Sequence, residues 1–267
     1  MPKSFCYQSE ARTAPVSLLV FHCFALTTRQ MLNLFQKSGT SVHYLIQRNG
    51  KVLSLVPDDR IAYHAGLSAW REFPEKINRH SIGIEIQNPR MGQTGYTASQ
   101  IASLIRLSQA LIKRHHIKPE NIVGHADIAP YRKPDPGPCF PWERLAQNGI
   151  GLWSDSHQQS TPKKSLPEEE TQKLLNQIGY NTVDPTAALY AFTTRFMPTI
   201  LPPQREIIQR EANVFNYWLG KPASEIAQAL PKAPMLCSPE VIRSLKNPAI
   251  MARLREVAAL YRSHKKD

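Results

Sequence analysis

Ser81-Ile82-Gly83-Ile84-Glu85-Ile86-Gln87 sets Ile82, Ile84 and Ile86 on one side of an extended chain and Gly83, Glu85 and Gln87 on the other, because successive strand side chains point to opposite faces. This alternation predicts a central strand with Glu85 directed away from its apolar face. Val16 to Phe24 (VSLLVFHCF) is a second short apolar run, β-branched and aromatic, which reads as a buried strand with His22 near its end. Ile122-Val123-Gly124-His125 is a third, again ending on a histidine. Asn49-Gly50 between the apolar runs His43–Ile46 and Val52–Val56 predicts a hairpin with a type I′ turn. Thr97 to His115 has helical periodicity (Ile101, Leu104, Ile105, Leu111, Ile112) and opens on Thr-x-x-Gln, a capping box. After His125, prolines at 130, 134, 136, 138 and 141 exclude a regular element, so Ala126 to Pro141 is expected to be a shaped loop. Strands alternating with helices over the first 150 residues give an α/β class, a mixed central β-sheet flanked by helices.

At 267 residues the chain exceeds the usual single domain, and its 42% apolar and 20% charged composition supports a packed core. The net charge of +12 is spread over both halves and attracts anions, whether nucleic acid, membrane surface or anionic polymer. No nucleic-acid motif accompanies it, and an anionic glycan-peptide polymer fits equally well. Cys6, Cys23, Cys139 and Cys237 lie far apart, with neither a zinc-knuckle pair nor a disulfide framework, and are expected to be mostly free thiols. Ser17 to Leu26 is too short to span a bilayer, and no export signal is evident.

The polar stretch from Ser154 to Pro167 has linker composition. The expected organisation is a catalytic domain at 1–153, a linker at 154–167, a small all-α domain at 168–220 and a helical extension at 221–267, with the two main parts folding independently. Helices are expected over Glu168–Ile178, stopped by Gly179, over Pro185–Phe196 with Asp184 as N-cap, and over Pro203–Leu219. Asp184-Pro185, Ser238-Pro239 and Asn247-Pro248 repeat one helix-start signal, and Ile250, Leu254, Val257 and Tyr261 share a helical face.

Two imidazoles and a carboxylate on strand ends and a proline-rich loop can hold a metal and leave a fourth tetrahedral position open. Here the chain resembles the type 2 N-acetylmuramoyl-L-alanine amidase family over roughly residues 15–150. The matching motifs, in order, are Leu19-Val20-Phe21-His22; Ser41-Val42-His43-Tyr44-Leu45-Ile46; Ala62 to Trp70 (AYHAGLSAW); Asn78 with Ser81-Ile82-Gly83-Ile84-Glu85; and Val123 to Pro130 (VGHADIAP) followed by Arg132 to Pro138 (RKPDPGP). The resemblance implies Zn2+ on His22, His125 and Asp135, Glu85 as general base, Lys133 as a cation facing the reacting carbonyl, and His64, Trp70 and Asn78 in the substrate groove. It implies peptidoglycan or muropeptides as substrate; a monomer with no nucleic-acid partner is expected. Asp127, two residues after His125, reads as orienting the loop rather than as a ligand.

Leu174 to Tyr180 with Ala188, Leu189, Phe192 and Arg195-Phe196-Met197-Pro198 resembles the helical peptidoglycan-binding domain often attached to such amidases, although Thr193 stands where that family has Gln. The alternatives are a non-catalytic peptidoglycan recognition protein, which would lack the ligand set, and a basic nucleic-acid-binding protein. A wall-binding domain favours action in the cell envelope or periplasm, with a leader absent from this chain; recycling of muropeptides in the cytoplasm is the other reading.

Overall fold

The isoleucine ladder forms the middle of a five-stranded mixed sheet. The structure, a computed structural model, describes residues 7–154, 167–202 and 239–264. The strands are β1 (Ser9–Ala11), β2 (Leu18–Phe24), β3 (Tyr44–Ile46), β4 (Val52–Ser54), β5 (Arg60–Ala62), β6 (Ser81–Gln87) and β7 (Ile122–Gly124). In the main sheet the order is β4-β3-β6-β2-β7, with β4 antiparallel to β3 and the other pairings parallel, while β1 and β5 form a separate antiparallel ribbon. Parallel strands of one sheet need long crossovers, supplied by the helices α1 (Thr28–Ser38), which joins β2 to β3 past β6, and α3 (Ala98–His115), which joins β6 to β7 past β2; a short α2 (Ile77–His80) leads directly into β6. Both crossover helices start at capping boxes, Thr27 with Gln30 and Thr97 with Gln100.

The two faces of the sheet divide as the alternation dictates. Leu19 and Phe21 of β2 join Ile82, Ile84 and Ile86 of β6 in a core with Leu104 and Leu111 of α3 and with Phe140, Trp142 and Leu145. Leu18 and Val20 face the other way. The β2–β6 register runs from Leu18↔Ser81 to Phe24↔Gln87 and pairs His22 with Glu85. Ser81, Gly83, Glu85 and His22 therefore share the face opposite the isoleucines.

Two local readings are corrected. In the hairpin, Gly50 is left-handed at φ 83°, but Asn49 does not share a positive φ; Gln47 N–H donates to Lys51 O across a longer loop. A single glycine closes this turn instead of a type I′ pair, and the site has no room for a side chain, since a Cβ would lie 2.6 Å from Ser99 O. His125, for its part, does not end a strand. It starts α4 (His125–Ile128), a one-turn helix that precedes the proline-rich loop, after which come α5 (Trp142–Ala146) and the end of the first part.

The second part contributes α6 (Glu168–Ile178), α7 (Pro185–Phe196), α8 (Pro239–Ser244) and α9 (Pro248–Ser263). Asp184 and Asn247 cap α7 and α9 as their Asx-Pro signals predict. The helix expected over Pro203–Leu219 lies outside the described residues. The two parts, expected to fold independently, pack against each other. Leu175, Ile178, Tyr190, Phe192, Ile250, Leu254 and Tyr261 form one apolar core with Leu18, Val20, Trp70, Ile77, Val123 and Ile128. Trp70, expected in the substrate groove, is 0% exposed at the centre of this core. Its ring meets Tyr180 and Tyr261 edge-on, and its Nε1–H donates to Glu120 O at 3.1 Å. A residue enclosed on all sides by packing cannot wall a groove.

Candidate metal centre

His22, His125 and Asp135 converge on one buried point. His22 sits near the end of β2, His125 at the first position of α4, and Asp135 in the proline-rich loop, whose backbone is tied back by Ala126 N–H donating to Asp135 O at 2.8 Å. One ligand atom from each lies within 4.8 Å of the others. The two Nδ1 atoms are 2.9 Å apart, and Asp135 Oδ2 is 3.2 Å from that of His125 and 3.5 Å from that of His22.

Burial decides their protonation. It lowers the pKa of His22, and it lowers that of His125 to about 3, so both imidazoles are neutral and able to ligate. Burial alone would raise Asp135, but His125, His22 and the charge of Lys133 together hold it well below the usual carboxylate range. The second oxygen, Asp135 Oδ1, is buried and has no hydrogen-bond partner among the described residues. His125 Nε2 lies 3.2 Å from the Ala65 carbonyl, an acceptor for an Nε2–H that would leave Nδ1 its lone pair for a metal. Two imidazole nitrogens and a carboxylate facing each other in a site 1–5% exposed suit a borderline divalent cation.

Around this point stand the other sequence-assigned residues. Glu85 is the cross-strand neighbour of His22, and its charge contributes to raising the pKa of half-buried Tyr96, where desolvation is the leading cause. Lys133, two residues before Asp135, lowers the pKa values of both Asp135 and His22 by its charge. Asn78 and His64 are both tied into the fold around the site. Asn78 Oδ1 accepts the His64 and Ala65 backbone N–H groups at 3.0 and 2.8 Å, while the His64 ring lies against His22. Arg132 closes the same segment from the ligand loop, donating to Ala65 O and Leu67 O.

Asp127, two residues after His125, is held by partners that the sequence does not reveal. Its Oδ2 accepts from Gly124 N–H at 2.8 Å and from Arg195 at 2.7 Å, and its Oδ1 from the Tyr180 hydroxyl at 2.6 Å. Arg195, 3% exposed, also lies over the Trp142 ring with its guanidinium carbon 3.9 Å from the centroid. The pair ties α7 to the helix that starts with His125. Arg195→Met is expected to lower the free energy of unfolding by about 3–5 kcal/mol, the scale of leaving one buried charge unpaired. Urea titration measures it, and the double variant Arg195→Met/Asp127→Asn should lose less than Arg195→Met alone.

The chain is similar to several known proteins. The sequence profile of the Amidase_2 family, N-acetylmuramoyl-L-alanine amidase, matches residues 12–138. The chain is 36% identical over 219 residues to N-acetylmuramoyl-L-alanine amidase AmiD of Escherichia coli, covering 72% of this chain and 79% of that protein. It is 45% identical over 105 residues to 1,6-anhydro-N-acetylmuramyl-L-alanine amidase AmpD of Enterobacter cloacae, covering 39% of this chain and 54% of that one. Among solved structures, AmiD in complex with anhydro-N-acetylmuramic acid-L-Ala-D-gamma-Glu-L-Lys superimposes with a TM-score of 0.63 over 71% of this chain and 84% of that one. AmpDh3 of Pseudomonas aeruginosa with anhydromuramic pentapeptide, 32% identical, gives 0.62 over 69% and 84%. Taken with the fold and the convergent imidazoles and carboxylate, these matches show that the chain belongs to the type 2 N-acetylmuramoyl-L-alanine amidase family.

Proposed function

We propose that this chain hydrolyses the amide joining N-acetylmuramic acid to L-alanine in peptidoglycan fragments, with zinc held by His22, His125 and Asp135. The observation that carries the reading is the convergence of those three side chains beside Glu85 on one face of the sheet. Zinc, when bound, supplies Lewis acidity that polarises a carbonyl and makes water nucleophilic near neutral pH. Glu85 accepts the proton of the attacking water and returns it to the leaving amine of L-alanine, so the C–N bond breaks without expelling an amide anion. Lys133 offsets the negative charge that develops on the carbonyl oxygen. Asp135 and Lys133 are fixed two residues apart in a segment bracketed by Pro134, Pro136 and Pro138.

AmiD and AmpDh3 were solved with anhydromuramyl peptides, which supports soluble anhydromuropeptides as a substrate class here. The helical part, proposed as a wall-binding module over residues 168–220, would extend the range to insoluble wall by raising local concentration at the polymer. No helix of the described residues is long and apolar enough to cross a membrane; action in the envelope, as a monomer, is the favoured reading.

Glu85→Gln is expected to keep zinc and the fold while lowering kcat at least about a hundredfold, the usual scale for a lost general base. Metal analysis and turnover of a soluble muropeptide test this together. A variant that retained near-full activity would remove Glu85 from the chemistry.

A further inference from the structure

A chain of hydrogen bonds leads from the Ile77 carbonyl through Ser81 and His64 to His22. Ser81 Oγ lies 2.7 Å from the Ile77 carbonyl and 3.1 Å from His64 Nε2. A carbonyl oxygen only accepts, so the single hydroxyl proton of Ser81 goes to Ile77 O, and His64 Nε2 must donate to Ser81 Oγ. His64 Nδ1 is then left as an acceptor. It faces His22 Nε2 at 2.9 Å, which must therefore carry a proton, and His22 Nδ1 presents its lone pair toward His125 and Asp135. The direction of each bond follows from the one before it, and the chain starts on a backbone carbonyl that cannot reverse.

The site is built to hold His64 in this place. Gly83, beneath the ring on the same face as Ser81, has no room for a methyl group: a Cβ there would lie 2.6 Å from the His64 ring. Asn78 fixes the backbone N–H of His64 from the other side, and Ser81 itself is fully buried. Alternate residues of the SIGIEIQ strand thus serve one purpose in order: Ser81 orients His64, Gly83 admits it, and Glu85 stands beside His22.

We infer that His64, held by Ser81, is a positioning residue that fixes the Nε2–H tautomer and ring orientation of His22 for metal ligation, and is not a contact for substrate. This rests on the proposed metal centre. A ligating histidine whose other ring nitrogen donates to a fixed acceptor binds metal more tightly, and losing such a partner typically costs 10–100-fold in affinity.

The test measures zinc affinity of the full chain by competition with a chromophoric chelator, together with the visible spectrum of the Co2+-substituted protein and the melting temperature of the metal-free protein. His64→Phe keeps a ring but offers no acceptor, and it is expected to bind zinc about 10–100-fold more weakly with an altered Co2+ spectrum. His64→Gln restores an acceptor for His22 Nε2–H and should recover part of that loss. Ser81→Ala, which removes only one oxygen, should weaken zinc in the same direction with a metal-free melting temperature close to that of the unaltered protein. Unchanged affinity and spectrum in His64→Phe and Ser81→Ala, while His22→Ala still loses the metal, would overturn the positioning role alone. Unchanged affinity in His22→Ala as well would instead overturn the metal centre. If His64→Phe and His64→Gln lost affinity equally and both melted far lower without metal, His64 would be a packing residue and the inference would fail.

Discussion

Asp135→Ala is expected to purify without stoichiometric zinc and to hydrolyse muropeptides more than about a thousandfold more slowly, since Lewis-acid stabilisation contributes several kcal/mol and each 1.4 kcal/mol is tenfold in rate. His22→Ala and His125→Ala should behave alike, because three ligands are the usual protein share of a catalytic zinc site. The expected loss is greatest for Asp135. Its carboxylate brings the only negative charge among the three ligands, in a site 3% exposed at that residue, where opposite charge counts most. Metal content by mass spectrometry and turnover, measured on the same preparations, check the coupling. Full zinc in an inactive Asp135→Ala protein would separate the carboxylate from the metal.

A chain cut to residues 1–153 is expected to lose cooperative folding, and with it zinc and activity on every substrate. The cut uncovers Trp70, Leu18, Val20, Val123 and Ile128, which share one core with α6, α7 and α9, and it strips Asp127 of Arg195 and Tyr180. Covering roughly 200 Å² of an indole is by itself worth on the order of 5 kcal/mol, as large as the whole stability of many domains. Near-ultraviolet circular dichroism and gel filtration of the truncated chain would show it. A soluble, cooperatively melting fragment that still cleaves soluble muropeptides is the result the linker composition alone predicts, and it would show that the shared core is dispensable.

How far the sequence carries depends on whether a feature is local. The starts of β6, α3, α7 and α9 were legible because their causes lie within a few residues: isoleucine at every second position, the Thr97-x-x-Gln100 box, Asx-Pro caps. The grouping of His22, His125 and Asp135 was expected only through family resemblance, since no spacing rule joins residues so far apart in the chain. Trp70 was placed in the groove by the family resemblance of Ala62 to Trp70; what covers it arrives from Tyr180 and Tyr261, beyond the linker. Arg195 stood in a quoted motif without a role, because its partner Asp127 lies on a different element 68 residues earlier. The linker composition suggested two independent bodies, a property that short-range polarity cannot decide when the apolar faces on either side match.

The most direct test is to incubate the full chain with anhydro-N-acetylmuramic acid-L-Ala-D-gamma-Glu-L-Lys, the ligand of the AmiD complex, and weigh the products by mass spectrometry before chelation, after chelation and after zinc is returned. The account predicts the anhydro sugar acid and a free tripeptide with an L-alanine amino terminus, lost on chelation and restored by zinc. Cleavage at any other bond, or cleavage indifferent to the chelator, would contradict it.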